Sequence, residues 1–210
     1  MATLRSGLYG SYYGSLYSES SSLTMNQMKV NAKYIAKYLK AKGWTINAIS
    51  GLLGNMQAES SINPGRWQSE DVGNTSLGYG LVQWTPASKY LNWCSSEGYS
   101  DPSEMDNNLS RIMYEIQNNI QWIATDTYNF SFETFSKSTN SVEYLASAFL
   151  KCYERAGIEV EETRQANARE WYNYLNNSDL GDEEIINPPL PSVVRNKRKY
   201  NFLLFGRRKV

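Results

Sequence analysis

Apolar residues recur at helical spacing through most of the chain between residues 24 and 176, and this periodicity limits the fold more than any other feature. Short segments rich in Gly, Ser, Asn and Pro separate the periodic stretches, as is typical of loops. We therefore expect a mainly α-helical fold with at most a small β element, around Tyr79 to Trp84. The length of 210 residues fits one compact domain with tails.

Capping signals place the helices. Thr24 and Gln27 have the spacing of a capping box and predict a first helix that runs to Gly43. Thr45 is expected to cap a second helix that ends at about Ser60. Further helices are predicted from Pro86, from Asp101 to about Ala124, from Asn140 through Arg155, and from Val160 to Leu175.

The two ends of the chain differ in composition from the predicted domain at residues 24–176. Residues 1–23 are rich in Tyr, Gly and Ser and are interpreted as an extended arm. Residues 177–210 are interpreted as a linker and a basic tail, because the last sixteen positions hold seven Lys and Arg and no acid. The remainder has fourteen basic residues against 21 acidic ones. Such a tail suits an anionic partner, and a merely solvated terminus is the alternative.

The sequence contains no histidine, and this absence limits the possible catalytic mechanisms more than any other feature of the composition. Zinc peptidases and amidases normally need imidazole ligands, and Cys-His or Ser-His-Asp hydrolases need an imidazole base. Neither a metal nor another cofactor is therefore expected. Carboxylates remain for acid-base work, and they are the groups that glycoside hydrolysis uses.

Two further classes of protein are not expected. No apolar run approaches the roughly 20 residues of a membrane span, and no apolar core follows Arg5 as in a secretory signal.

Cys94 and Cys152 both fall within helix-like stretches. We interpret them as buried free thiols rather than as a disulfide.

Glu59 is the strongest candidate for a general acid. It follows Met56 by three positions and Leu52 by seven, so the three side chains share one face of the second helix. A carboxyl group at this helix end would lie between core and loop, where partial desolvation favours the protonated form. An exposed glutamate at a frayed helix end is the alternative.

Three segments carry a resemblance to a known family: GNMQAESSINPGRWQ at 54–68, GNTSLGYGLVQWTPAS at 73–88 and FLKCYERA at 149–156. Together they resemble the tail-tip lysozyme domain of short-tailed phages of Gram-positive bacteria, within the lysozyme and lytic transglycosylase superfamily. The resemblance covers residues 25–176. It implies a lysozyme-like fold, cleavage of MurNAc-GlcNAc linkages in peptidoglycan, and Glu59 as the catalytic acid.

A second catalytic group is less certain from the residues. Glu70 or Asp71 is a candidate base that would activate water on the opposite side of the sugar ring, and both are alternatively solvated loop charges. No second carboxylate is needed if the acetamido group of the substrate assists, or if its 6-hydroxyl attacks as in a lytic transglycosylase.

Five residues are candidates for substrate binding: Ser60, Tyr79, Gln83, Trp84 and Tyr153. Ser60 is expected mainly to stabilise the helix end and orient Glu59. Packing in the core is the alternative for Tyr79, whereas Trp84 is expected to face the cleft. Glu154 and Arg155 are interpreted as a structural ion pair rather than as catalytic residues.

The resemblance also implies partners and a location. The expected partners are a peptidoglycan glycan strand and, through both arms, other phage tail proteins, with neither nucleic acid nor membrane. The expected location is the tail tip or tail knob of the virion. A tail protein that binds the wall without cutting it, or a released endolysin, is the alternative.

Overall fold

The computed structural model describes residues 3–6, 15–155 and 160–180, and it is mainly helical, as predicted. Within these residues seven α-helices follow one another: α1 Met25–Ala41, α2 Ile46–Ser60, α3 Ser88–Glu97, α4 Met105–Gln117, α5 Phe132–Ser136, α6 Val142–Phe149 and α7 Glu161–Asn176. A π-helical turn, Leu150–Glu154, extends α6. None of the described helices is long and apolar enough to cross a bilayer.

The described β structure is small and lies mostly outside the segment predicted for it. β1, Thr3–Ser6, pairs antiparallel with β2, Ser15–Ser18, within residues that we had interpreted as an extended arm without strand periodicity. The segment around Tyr79 forms only isolated bridges, from Tyr79 to Trp67 and to Trp84.

The first two helix starts are confirmed. The Thr24 hydroxyl accepts a hydrogen bond from the main-chain nitrogen of Gln27, and the Gln27 side chain accepts one from the main-chain nitrogen of Thr24. The Thr45 hydroxyl likewise accepts from Ala48. These contacts satisfy main-chain donors that a first helical turn leaves unpaired.

Two helix predictions were wrong. The helix expected from Pro86 begins only at Ser88. The long helix expected to reach Ala124 ends at Gln117, because the backbone becomes left-handed at Asn119 and Gln121, with φ of 51° and 68°. The short helix α5 was not predicted, since five residues are too few for a periodic pattern.

Helix α2 is the centre of the core and packs against α6 and α7. Its stripe of Ile49, Leu52, Leu53 and Met56 is completely buried. A Cβ atom at Gly54 would lie 2.5 Å from the main-chain oxygen of Arg164 on α7, so only glycine permits this separation of the helices.

The N-terminal segment that follows β2 packs on the domain, although we had assigned it to the arm. Leu16 and Leu23 belong to the core and are 9% and 5% exposed. Asn63, in the loop after α2, accepts a hydrogen bond from the main-chain nitrogen of Glu19 and donates one to its oxygen, at 3.1 and 2.9 Å. The packed unit therefore begins before residue 24.

The two cysteines of the domain are not joined by a disulfide. Cys94 and Cys152 are both buried and free, as expected. In the part of the chain that the structure describes, no group of three or more Cys, Asp or Glu side chains is placed to hold a metal ion.

Candidate active site

A cleft of about 390 Å³ opens beside the C-terminal end of α2. Its walls come from α2, the loops around residues 68 and 82–85, the start of α3, the segment after α4 and the π-helical turn. The lining residues are Glu59, Gln68, Val82, Gln83, Trp84, Thr85, Lys89, Gln121, Glu154 and Arg155.

Glu59 is the penultimate residue of α2, and 20% of its side chain is exposed. Its carboxylate accepts a 2.6 Å hydrogen bond from Arg164, whose side chain is only 9% exposed. The glutamate therefore lies between core and cleft, with a buried cation on its inner side. A charge-assisted contact of this length fixes the direction of the carboxylate.

Asn55 holds Arg164 in place. Its side-chain oxygen accepts from the Arg164 guanidinium at 3.1 Å, while its amide nitrogen donates to the main-chain oxygens of Gly51 and Ala146 at 2.9 and 3.0 Å. This buried amide thereby joins α2, α6 and α7 directly below the cleft. The position of the Glu59 carboxylate thus depends on three helices.

Glu154 brings a second carboxyl group to the same cleft. It is the last residue of the π-helical turn, and its Oε1 is buried with no hydrogen-bond partner among the described residues. Burial raises the pKa of Glu154 well above its usual value, and the charge of Glu59 raises it further, while Arg164 lowers it. Turns of this kind are rare and are often found at functional sites.

A buried polar group supports the wall behind Trp84. The Trp84 indole donates to Glu115 at 2.9 Å, and Tyr153 and Arg111 donate to the same carboxylate. Burial raises the pKa of Glu115, and the hydrogen bonds and charge of these neighbours oppose that rise. The Glu115 carboxylate, fixed by Tyr153 and Arg111, holds the indole, and with it this wall of the cleft, in one orientation.

Comparison with known proteins identifies the family. The family model described as phage tail lysozyme matches residues 30–175, which is more than half of the chain. The chain belongs to the phage tail lysozyme family.

A relative of this phage tail lysozyme is morphogenesis protein 1 of Bacillus phage B103. The two sequences are 52% identical over 159 residues, which are 76% of this chain and 43% of the relative. The chain therefore spans less than half the length of that relative. The family and the relative agree in pointing to a lysozyme-like protein of a bacteriophage.

The phage tail lysozyme cleft contains only some of the predicted site residues. Glu59, Gln83 and Trp84 line it. Glu70 and Asp71 do not: Glu70 is 60% exposed and paired with Arg66 at 3.1 Å, and Asp71 is exposed. The positions of Glu70 and Asp71 therefore agree with the alternative interpretation, in which both are solvated charges of a loop.

Four predicted substrate-binding residues are largely buried, and of these four only Trp84 is among the residues that line the cleft. Ser60 is 1% exposed, and its hydroxyl donates to Met56 and Leu81, so it stabilises the helix end. Tyr79 packs in the core, at 4% exposure. Trp84 and Tyr153 are 3% and 1% exposed because their polar groups hydrogen-bond Glu115. Of the five, Gln83 alone is partly accessible, and its amide donates to two main-chain oxygens.

Several residues of the site were missed or misread. Glu154 and Arg155 were interpreted as an ion pair, but the Arg155 guanidinium donates to the main-chain oxygens of Gln121 and Cys152. Arg164 follows Glu59 by 105 positions, and no local spacing in the sequence relates the two. The other lining residues that sequence analysis missed are Gln68, Val82, Thr85, Lys89 and Gln121.

Proposed function

We propose that the protein is a peptidoglycan glycosidase that cleaves MurNAc-GlcNAc linkages, with Glu59 as its general acid. The observation that carries this proposal is the position of Glu59, which is partly exposed on the wall of a cleft in a phage tail lysozyme domain. Carboxyl groups beside a groove are what hydrolysis of a polysaccharide requires.

In the proposed reaction, Glu59 donates a proton to the glycosidic oxygen while positive charge develops on the sugar ring. The C–O bond breaks as the leaving sugar gains that proton. A carboxylate on the cleft wall stabilises the positive charge more strongly than it would in water, because the partly enclosed cleft screens it less. Gln83 and Gln121 have side-chain amides suited to hydrogen bonds with the N-acetyl and hydroxyl groups of the glycan.

The proposed setting is the phage particle, where local cleavage of the wall would let the tail penetrate the host. The name of the relative, a phage morphogenesis protein, and the family description support a structural component of the virion. We further propose that the two arms dock on other tail proteins at the tail tip or knob. Residues 1–2, 7–14 and 181–210 lie outside the described residues.

Replacing Glu59 by Gln tests the proposed function. Glu59→Gln keeps the shape of the side chain but removes the acid, and loss of one general acid typically lowers a rate by about 10²- to 10⁴-fold. We therefore expect clearing of purified cell walls to fall by that factor. The matched variant Glu133→Gln changes an exposed, distant glutamate of α5 and should clear walls normally.

Mass spectrometry of the released sugars completes the experiment. Reducing MurNAc ends contain the added water and indicate hydrolysis, whereas 1,6-anhydro ends lack it and indicate a lytic transglycosylase. A folded Glu59→Gln protein that clears walls at the normal rate would refute the assignment of the acid. Walls that bind the unaltered protein but release no sugar would point to a non-catalytic wall-binding protein.

A further inference from the structure

Glu154 is a carboxyl group of the cleft whose role the proposed acid alone does not explain. It shares the cleft with Glu59, and its Oε1 is buried without a hydrogen-bond partner among the described residues. Its neighbour Arg155 directs its guanidinium to main-chain oxygens instead. A buried carboxylate oxygen without a donor is costly, whereas a protonated carboxyl group is much less so.

The charges around Glu154 also disfavour a second negative charge. Arg164, a buried cation whose charge acts on Glu154, already donates to Glu59 at 2.6 Å. The charged and titratable groups around Glu154 come from several elements. They are Glu59 on α2, Glu115 on α4, Arg164 on α7, the residues Tyr153 and Arg155 that flank Glu154 in the chain, and Lys89, which lines the same cleft.

We propose that Glu59 and Glu154 form a carboxyl pair that holds a single proton, which resides on Glu154 in the resting protein. This inference rests on the proposed function of Glu59. When two carboxyl groups interact strongly, their protons belong to the pair, and the last one is retained to a higher pH than in an isolated glutamate. The resting form has the proton on Glu154 and the charge on Glu59, and the reactive form has them exchanged.

The single proton balances the proposed reaction. In the reactive form, Glu59 gives its proton to the leaving oxygen as the C–O bond breaks, and both carboxyl groups are then ionised. Water adds its oxygen to the anomeric carbon and releases a proton, which Glu154 accepts. The pair therefore ends with one proton, as it began, and Glu154 is the second carboxyl group that neither Glu70 nor Asp71 supplies.

Carbon-13 NMR of the uncut protein, labelled at glutamate carboxyl carbons, tests the pair without any activity. We expect one resonance to titrate well above the ordinary glutamate range and to disappear in Glu154→Gln. If that variant does not fold, the resonance should disappear in the conservative Glu154→Asp, whose aspartate carries no label. In Glu59→Gln its midpoint should fall, because a neighbouring negative charge has been removed. Glu133→Gln should leave it unchanged. A Glu154 resonance in the ordinary range, or one that ignores Glu59→Gln, would overturn the proposal.

The pH profile of wall clearing tests the catalytic consequence. In Glu154→Gln the alkaline limb should move to lower pH by about one unit or more, the coupling expected of such a pair. Glu154→Asp should restore part of that limb. An unchanged limb would mean that Glu154 is only structural. If the NMR titrations are as expected but Glu59→Gln clears walls normally, the proposed function fails and the carboxyl pair stands; the reverse result rejects the pair alone.

Discussion

Arg164 of α7 fixes the position of the Glu59 carboxylate beside the cleft. It is 9% exposed and donates both to Glu59 and to Asn55. A buried cation is tolerated only when it is paired and hydrogen-bonded. Glu59 is thus a structural partner of Arg164 as well as the proposed acid.

Replacing Arg164 by Gln should cost about 2 to 4 kcal/mol of unfolding free energy, because it leaves the partly buried Glu59 carboxylate without its cation. Urea denaturation measures the loss. The matched change Arg169→Gln, on the same helix, removes a pair whose side chains are 52% and 32% exposed, and should cost about 1 kcal/mol or less. Equal losses in the two variants would show that the buried pair contributes nothing special.

For single residues, the sequence predicts the position of a side chain when the contacts that determine that position lie close to it in the chain. Glu59 was located from its spacing to Leu52 and Met56, which share its helix. Trp84 and Tyr153 were predicted to contact substrate, but their hydrogen bonds to the buried Glu115 were not predicted. Those contacts arise only when distant segments pack together, so no pattern around either residue reveals them.

The end of α2 is organised by contacts with α7. Gly54 permits the close approach, Asn55 binds Arg164, and Gln57 accepts a 2.8 Å hydrogen bond from the Trp171 indole. Met56 faces the core between them. The GNMQ segment that precedes the proposed acid therefore has a physical explanation, since three of its four residues position α7 against α2.

Gly54→Ala tests this contact between elements, because two effects predict opposite signs. Helix propensity alone would stabilise the protein by about 1 kcal/mol. The new Cβ would lie 2.5 and 2.8 Å from main-chain atoms of α7, and such overpacking costs about 1 to 3 kcal/mol. We expect a net loss in thermal or urea denaturation, together with slower wall clearing as Arg164 is displaced.

A calibration is available on the same helix. Ala58 is exposed, so Ala58→Gly should report propensity alone and cost about 1 kcal/mol. If Gly54→Ala were more stable than the unaltered protein, α7 would have to move easily, and the close approach would not position Arg164.

Among the elements, helix boundaries were predicted best where the signal lies within a few residues of the boundary. Thr24 and Thr45 carry their own capping groups, so the signal is local. The end of α4 depends on left-handed residues at 119 and 121, which are Asn and Gln rather than Gly and give no clear stop signal. The π-helical turn at Leu150–Glu154 leaves no trace in a pattern of apolar residues.

For the whole molecule, the strongest contrast is between an acidic body and a basic end. The last sixteen residues have seven positive charges and no acid, whereas the described residues that line the cleft all fall between 59 and 155. Binding to the particle and cutting of the wall should therefore be separable. The N-terminal segment does not offer such a separation, since Leu16 and Leu23 are part of the core.

A protein shortened by removal of residues 181–210 should clear purified walls as fast as the full chain but enter phage particles less often. The reason is the loss of a positively charged contact with tail proteins. Quantitative immunoblotting of purified particles measures incorporation. As a control, reversing the order of the last sixteen residues keeps their charge. Normal incorporation of the shortened protein would show that this end does not dock.

The contacts between Glu19 and Asn63 have a consequence for orientation. The segment after β2 lies beside the loop that follows α2, and two hydrogen bonds between the Asn63 side chain and the Glu19 main chain hold it there. A partner that binds the chain on the N-terminal side of β2 would therefore set the direction in which the mouth of the cleft opens. Such a partner would orient the cleft relative to the particle without contacting any residue that lines it.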